Sequence, residues 1–154
     1  MSSFMYFWSW LFSSFVGACL FSLFGLYLIL KKRYRDAIFV VASGAASAVF
    51  VKIIKALVHR DRPRIDPSVW ADGYSFPSGH STAAACIGIL ILWFLVPEKK
   101  RKYFVFPVTV LVACVGASRI YFGVHYISDV FAGYVLGALI AVATILLDRK
   151  TKMR

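Results

Sequence analysis

The chain has 154 residues, of which 60% are hydrophobic and 16% charged, with a formal net charge of +11. A mean hydropathy of +0.75 excludes an ordinary soluble domain, and the length suits a single domain, residues 1–154. The positive charge does not point to nucleic acid, because most basic residues sit in short clusters between apolar blocks and form no stripe on a soluble module.

The apolar residues come in long blocks, and a bilayer core needs roughly 20 consecutive apolar residues per helical span. Taken in chain order, spans are expected at about 4–30, 37–58, 78–97, 103–118 and 125–147. The first, from Phe4 to Leu30, lacks a basic leader and exceeds a signal-peptide core of roughly 7–15 residues, so it reads as a retained span. The second carries the small-residue run "ASGAASA" (42–48), and the fifth has Gly133 and Gly137 in G-x-x-x-G spacing. Both patterns suit close helix packing in lipid. The fourth span is short and holds Pro107 near its start, where proline is tolerated. Cys19, Cys86 and Cys114 each fall inside an apolar run and read as packing residues. The fold class expected is an all-α integral membrane protein, a compact bundle of about five transmembrane helices.

Three connections are strongly basic: "KKRYRD" (31–36), "EKKRK" (98–102) and the tail "RKTKMR" (149–154). The positive-inside rule places these in the cytoplasm, with the C-terminus, and puts the N-terminus outside. The remaining connections, 59–77 and 119–124, then face outward together, and they gather nearly all the other polar residues.

Three outward stretches carry the chemistry. In "KALVHRDRPR" (55–64), Lys55 ends the second span, and Arg60, Arg62 and Arg64 follow. Cations on the side where few are expected suggest a bound anion. Lys52, Arg60 and Arg64 are read as headgroup-level cations, and His59 as a headgroup-level histidine. In "PSGH" (77–80), Pro77 suits a first helical turn. Ser78, Gly79 and His80 would present N–H groups at a helix N-terminus, a phosphate-binding end. In "SRIYFGVHYISD" (118–129), His125 and Asp129 are four apart on one helix face. A carboxylate on one ring nitrogen leaves the other free to attack. Arg119 offers a planar fork for phosphate oxygens, with a plain Arg119–Asp129 ion pair as the competing reading.

In this order, the three stretches resemble the three-part signature of the type 2 phosphatidic acid phosphatase superfamily, over roughly residues 37–147. That superfamily holds lipid phosphate phosphatases, polyprenyl diphosphate phosphatases, glucose-6-phosphatase and the vanadium haloperoxidases. The resemblance implies that Lys55, Arg62, Ser78, Gly79 and Arg119 bind the phosphate. It further implies that His125 is the nucleophile, that His80 protonates the leaving oxygen and then activates water, and that Asp129 orients His125. Lipid-phosphatase members commonly have three spans ahead of the first motif, whereas two precede it here. The place could be taken by a partner subunit in a homo-oligomer or by a re-entrant piece of 65–76. No cofactor or metal is expected, since no other histidine–carboxylate cluster has ligand spacing. The function expected is a metal-independent lipid phosphatase acting at the outer membrane interface on a lipid phosphate or diphosphate, undecaprenyl diphosphate foremost. Phosphatidate or phosphatidylglycerol phosphate phosphatase and lipid phosphotransferase are the alternatives. The partners expected are the lipid phosphate substrate and membrane lipids.

Overall fold

The computed structural model describes residues 14–63 and 73–152, with side chains from residue 17 in the first helix. Five α-helices lie among the described residues, and no strand. They are α1 (Ser14–Leu30), α2 (Tyr34–Val58), α3 (Gly79–Phe94), α4 (Arg101–Tyr121) and α5 (Ile127–Lys152), with a 3-10 turn Glu98–Lys100 ahead of α4. Residues 4–13 of the first expected span, Arg64 and most of 65–76 lie outside the described residues. The helices α2, α5 and the 3-10 turn with α4 are each long and apolar enough to cross a membrane; α1 and α3 are shorter and apolar.

The chain is an all-α integral membrane bundle. Its large apolar side chains point outward as often as inward: Phe106 is 76% exposed, and Leu30, Leu57 and Ile127 are similarly bare. Lipid tails satisfy such a surface, so the interior is defined by packing and polar contacts instead. Phe21, Leu28, Val40, Leu90, Phe94 and Ala141 form the buried core. The tightest seam joins α3 to α5. A Cβ on Gly133 would fall 2.6 Å from Ser78 O and 2.9 Å from Ser81 Cβ, and one on Gly137 would meet Cys86 N at 3.0 Å. The two glycines therefore let the backbones touch, the outcome their spacing implied. Gly44 of the small-residue run admits the Phe21 ring of α1 in the same manner.

One end of the bundle is closed by ion pairs. Asp148, fully buried, accepts from Arg35 (2.8 Å), Trp93 Nε1 (3.0 Å) and Lys152 (3.0 Å). Arg33 pairs with Asp36 and donates to Phe94 O at 2.8 Å, while the Arg101 and Arg149 guanidinium groups stack on Trp93 at 4.4 and 4.7 Å. Part of the basic content of the expected inner loops is thus a structural clasp. The described residues singled out as chemical lie at the opposite end.

Two local details differ from expectation. α3 starts one residue later than the motif suggested: Ser78 is the N-cap, accepting from Ser81 N at 3.4 Å, and Pro77 precedes the helix. The serine side chain can cap and proline cannot, which decides the register. α4 also begins earlier than residue 103 and runs through Pro107, so the Tyr103 carbonyl has no i+4 N–H to accept.

Candidate active site

Four segments meet at the open end. α2 stops at His59, whose left-handed conformation (φ 50°, ψ 36°) turns the chain out of the helix while its N–H closes on Lys55 O. The turn delivers Arg60 and Arg62 toward the bundle axis. Ser75 fixes it from the far side, donating its N–H (2.8 Å) and hydroxyl (3.1 Å) to Arg60 O. Lys55 Nζ donates to Tyr74 O. The start of α3 is tied to α5 because Ser78 N–H donates to Asp129 O at 3.0 Å.

The consequence is a histidine held between a carboxylate and cations. His125 lies in the loop ahead of α5 and is 4% exposed; Asp129 and Ser78 are fully buried and Arg119 is 2% exposed. His125 Nδ1 lies 3.5 Å from Asp129 Oδ2, and Nε2 lies 3.4 Å from Arg62 Nη1. Arg62 is itself anchored, donating to Val124 O (2.8 Å) and Gly73 O (3.0 Å). A guanidinium can only donate, so the nitrogen facing it carries the lone pair. Nε2, facing that donor, is assigned the lone pair, which puts the proton on Nδ1; Nδ1 lies 3.5 Å from Asp129 Oδ2 and makes no hydrogen bond among the described residues.

The electrostatics agree. Burial, then the Arg62, Arg119 and Lys55 charges, push the His125 ring down to about 3, opposed only by the Ser75 backbone, so the imidazole is neutral near neutral pH. His80, the second residue of α3, lies within the field of Arg119, His125, Arg62 and Lys55. Among the described residues no protein group accepts the N–H of Gly79 or His80, as expected of a helix start facing an anion. Three cations, two such N–H groups and one neutral imidazole thus surround a common space, fit for a phosphate.

The sequence-derived residues Lys55, Arg62, Gly79, His80, Arg119, His125 and Asp129 all come together here. Ser78 is placed differently: its N–H goes to Asp129, and its Oγ accepts from Ser81 Oγ at 3.0 Å. Its hydroxyl works as the helix cap, while its backbone N–H and carbonyl lie in the α3–α5 seam. The Arg119–Asp129 ion pair entertained from sequence does not form. Asp129 Oδ1 pairs instead with Arg60 at 2.8 Å. Arg60 is thus no headgroup-level cation. Lys52 and His59 are exposed, His59 lying edge-on to Tyr74 at 4.5 Å. Ser75 was missed altogether, since nothing in "GYS" marks a serine that buttresses a turn fifteen residues upstream.

An open cavity of about 1070 Å³ leads to His125, lined by Arg60, Tyr126, Ser128, Ile127 and Phe131 among others. Phe131 also borders an apolar groove of about 320 Å³ between Ile54, Pro77 and Leu136. A helical membrane bundle with a buried histidine–carboxylate pair inside a cationic, helix-capped pocket defines a phosphate-handling membrane protein.

Residues 35–153 match the PAP2 superfamily, and the chain belongs to it. It is similar to phosphatidylglycerophosphatase B of Bacillus subtilis, 33% identical over 133 residues covering 83% of this chain and 66% of that protein. It is also similar to the decaprenylphosphoryl-5-phosphoribose phosphatase of Mycobacterium tuberculosis, 32% identical over 130 residues covering 81% of this chain and 68% of that protein. Among solved structures, a transmembrane PAP2 type phosphatidylglycerolphosphate phosphatase from Bacillus subtilis matches with a TM-score of 0.87 at 30% identity, covering 96% of this chain and 76% of that one. The chain spans about two thirds of the length of these curated relatives.

Proposed function

We propose that the protein is a metal-independent lipid phosphatase working through a phosphohistidine. The observation that carries this is the buried placement of His125 between a carboxylate and a cation, Nδ1 3.5 Å from Asp129 Oδ2 and Nε2 3.4 Å from Arg62 Nη1. A simple anion-binding site needs the cations and the helix end but not an oriented neutral imidazole. In the first step Nε2 attacks phosphorus, the Nε2–P bond forms and the ester P–O bond breaks, and His80, protonated by the proton that enters with the negatively charged phosphate, gives it to the departing lipid oxygen. In the second step His80 takes a proton from water, the water oxygen bonds to phosphorus, and the P–Nε2 bond breaks to release phosphate. Lys55, Arg62 and Arg119 neutralise the phosphoryl oxygens throughout, aided by the N–H groups of Gly79 and His80. Asp129 balances the charge that appears on the imidazole while phosphorus is attached.

For the substrate, a glycerophospholipid phosphomonoester of the phosphatidylglycerol phosphate kind is favoured over undecaprenyl diphosphate, the sequence-based first choice. Its support is the similarity to phosphatidylglycerophosphatase B over 83% of the chain. The orientation proposed with it, the basic far end in the cytoplasm and the pocket at the outer interface, rests on the positive-inside rule.

The test is phosphate release by purified protein in detergent with excess EDTA. Phosphatidylglycerol phosphate, phosphatidate and undecaprenyl diphosphate are compared, with His125→Ala as the control. EDTA-resistant release, fastest on the first substrate and abolished by the substitution, is expected. Release lost on chelation, or preserved in His125→Ala, overturns the mechanism. A preference for undecaprenyl diphosphate overturns the substrate assignment alone.

A further inference from the structure

The geometry points to Arg60 as a positioning residue that sets the Asp129 carboxylate, and through it His125, for attack. The inference rests on the histidine mechanism just described. Asp129 is fully buried and has two oxygens to place. Oδ2 accepts the Tyr126 N–H at 2.9 Å and faces His125 Nδ1. Oδ1 points the other way and accepts Arg60 Nη1 at 2.8 Å. Without Arg60, that oxygen is left buried with no cation beside it, and the carboxylate can rotate about its Cβ–Cγ bond away from the ring. A buried carboxylate stripped of its partner is costly, so it would move, draw in water or take up a proton. Each response takes the negative charge away from Nδ1, which lies 3.5 Å from Oδ2 and has no hydrogen-bond partner of its own among the described residues.

Arg60 is well built for this duty. The same Nη1 donates to Ser128 Oγ at 2.7 Å, and the guanidinium carbon lies 3.9 Å from the centre of the Tyr126 ring. Its carbonyl is gripped by both the N–H and hydroxyl of Ser75, and the Ser75 backbone also meets His125. Arg60 therefore ties the two flanks of the histidine, the turn after α2 and the start of α5, into one frame. It does so from the cavity side, where its side chain is 34% exposed. A residue that only recognised phosphate would have no reason to spend its strongest hydrogen bond on Asp129.

Two inorganic anions separate positioning from binding. Inorganic phosphate needs only the cations and N–H groups, whereas orthovanadate completes a five-coordinate geometry by taking Nε2 of a correctly oriented histidine as a ligand. Affinities for both are measured by calorimetry on the full chain in detergent, for the wild type, Arg60→Gln and Arg60→Lys. Arg60→Gln is expected to weaken vanadate by about tenfold or more, the usual effect of removing an outer partner of an oriented histidine, and to leave phosphate affinity unchanged. Arg60→Lys, which keeps the charge but not the fork, is expected to fall between and serves as the test should Arg60→Gln not fold. Equal weakening of both anions makes Arg60 a direct phosphate ligand and overturns the inference, as does unchanged vanadate affinity. A wild-type chain that binds phosphate but not vanadate sinks the histidine mechanism and the inference with it. Normal wild-type vanadate binding with no effect of Arg60→Gln sinks only the inference.

Discussion

Gly133→Ala offers a severe check, because the glycine lies where the bundle seam and the phosphate pocket are one structure. The added Cβ would sit 2.6 Å from Ser78 O, short of the 3.4 Å at which ordinary contact begins by about 0.8 Å. Ser78 O cannot swing aside, since it already accepts from Thr82 N (3.0 Å) and Thr82 Oγ1 (2.9 Å). Nor can the strain pass to side chains alone, because the neighbouring Ser81 Cβ at 2.9 Å is fixed to the α3 backbone. The helices must part, at a cost of about 1–3 kcal/mol for forced overpacking. The same parting stretches the Ser78 N–H to Asp129 O bond, 3.0 Å at rest, and shifts the N–H groups of Gly79 and His80 relative to His125. A displacement near 1 Å at a reacting centre lowers rate by about a hundredfold. The assay pairs thermal unfolding in detergent with lipid phosphate turnover per folded molecule. Gly17→Ala, whose Cβ would meet only Ala83 Cβ at 3.8 Å, is the control. Gly133→Ala is expected to lose more activity than its stability loss explains, with Gly17→Ala silent. Wild-type stability and turnover in Gly133→Ala would refute the reasoning.

Other consequences concern charge and the far end of the bundle. The His125 ring, held down to about 3, takes up a proton on unfolding at any pH between that value and its ordinary 6.5. Its contribution to stability is complete above 6.5 and declines as pH falls toward 3. Its ring resonance by NMR is accordingly expected to stay flat from about pH 5 to 8, and a midpoint near the free-histidine value contradicts the assigned field. Arg119→Ala removes a cation that is 2% exposed, so both inorganic phosphate affinity and turnover are expected to fall at least tenfold, roughly what one charged hydrogen-bond donor supplies. Unchanged phosphate affinity by calorimetry excludes Arg119 from the pocket. Asp148→Asn at the inner clasp breaks the ion pairs to Arg35 and Lys152, whose side chains are 39% and 52% exposed. A loss of about 1–3 kcal/mol is expected in thermal unfolding, with turnover per folded molecule retained; a matching loss of activity would make the clasp part of the site.

The chemical residues were legible because their types are rare in an apolar chain. Lys55, Arg62, His80, Arg119, His125 and Asp129 stand out against apolar blocks, and the alternation of charged loops assigns them to one end. Spacing carried less far where it had to choose among neighbours. "RDR" holds two arginines two apart, and only the left-handed turn at His59 decides that Arg62 faces His125 Nε2 while Arg60 faces Asp129. The same ambiguity made Arg119 look like a partner for Asp129. Ser78 shows a different limit, since a serine at a helix start can serve ligand or helix, and the bonds its hydroxyl accepts from Ser81 commit it to the helix. Ser75 had no signal at all: its role depends on a contact with Arg60, fifteen residues upstream.

Trapping the covalent intermediate tests the central claim most directly. Purified protein is mixed with lipid carrying a radiolabelled terminal phosphate, quenched in alkaline denaturant during turnover, and digested for mass spectrometry. The expected result is an acid-labile, alkali-stable label on His125, absent from His125→Ala. Steady phosphate release with no labelled protein, or a label on any other residue, would contradict the mechanism.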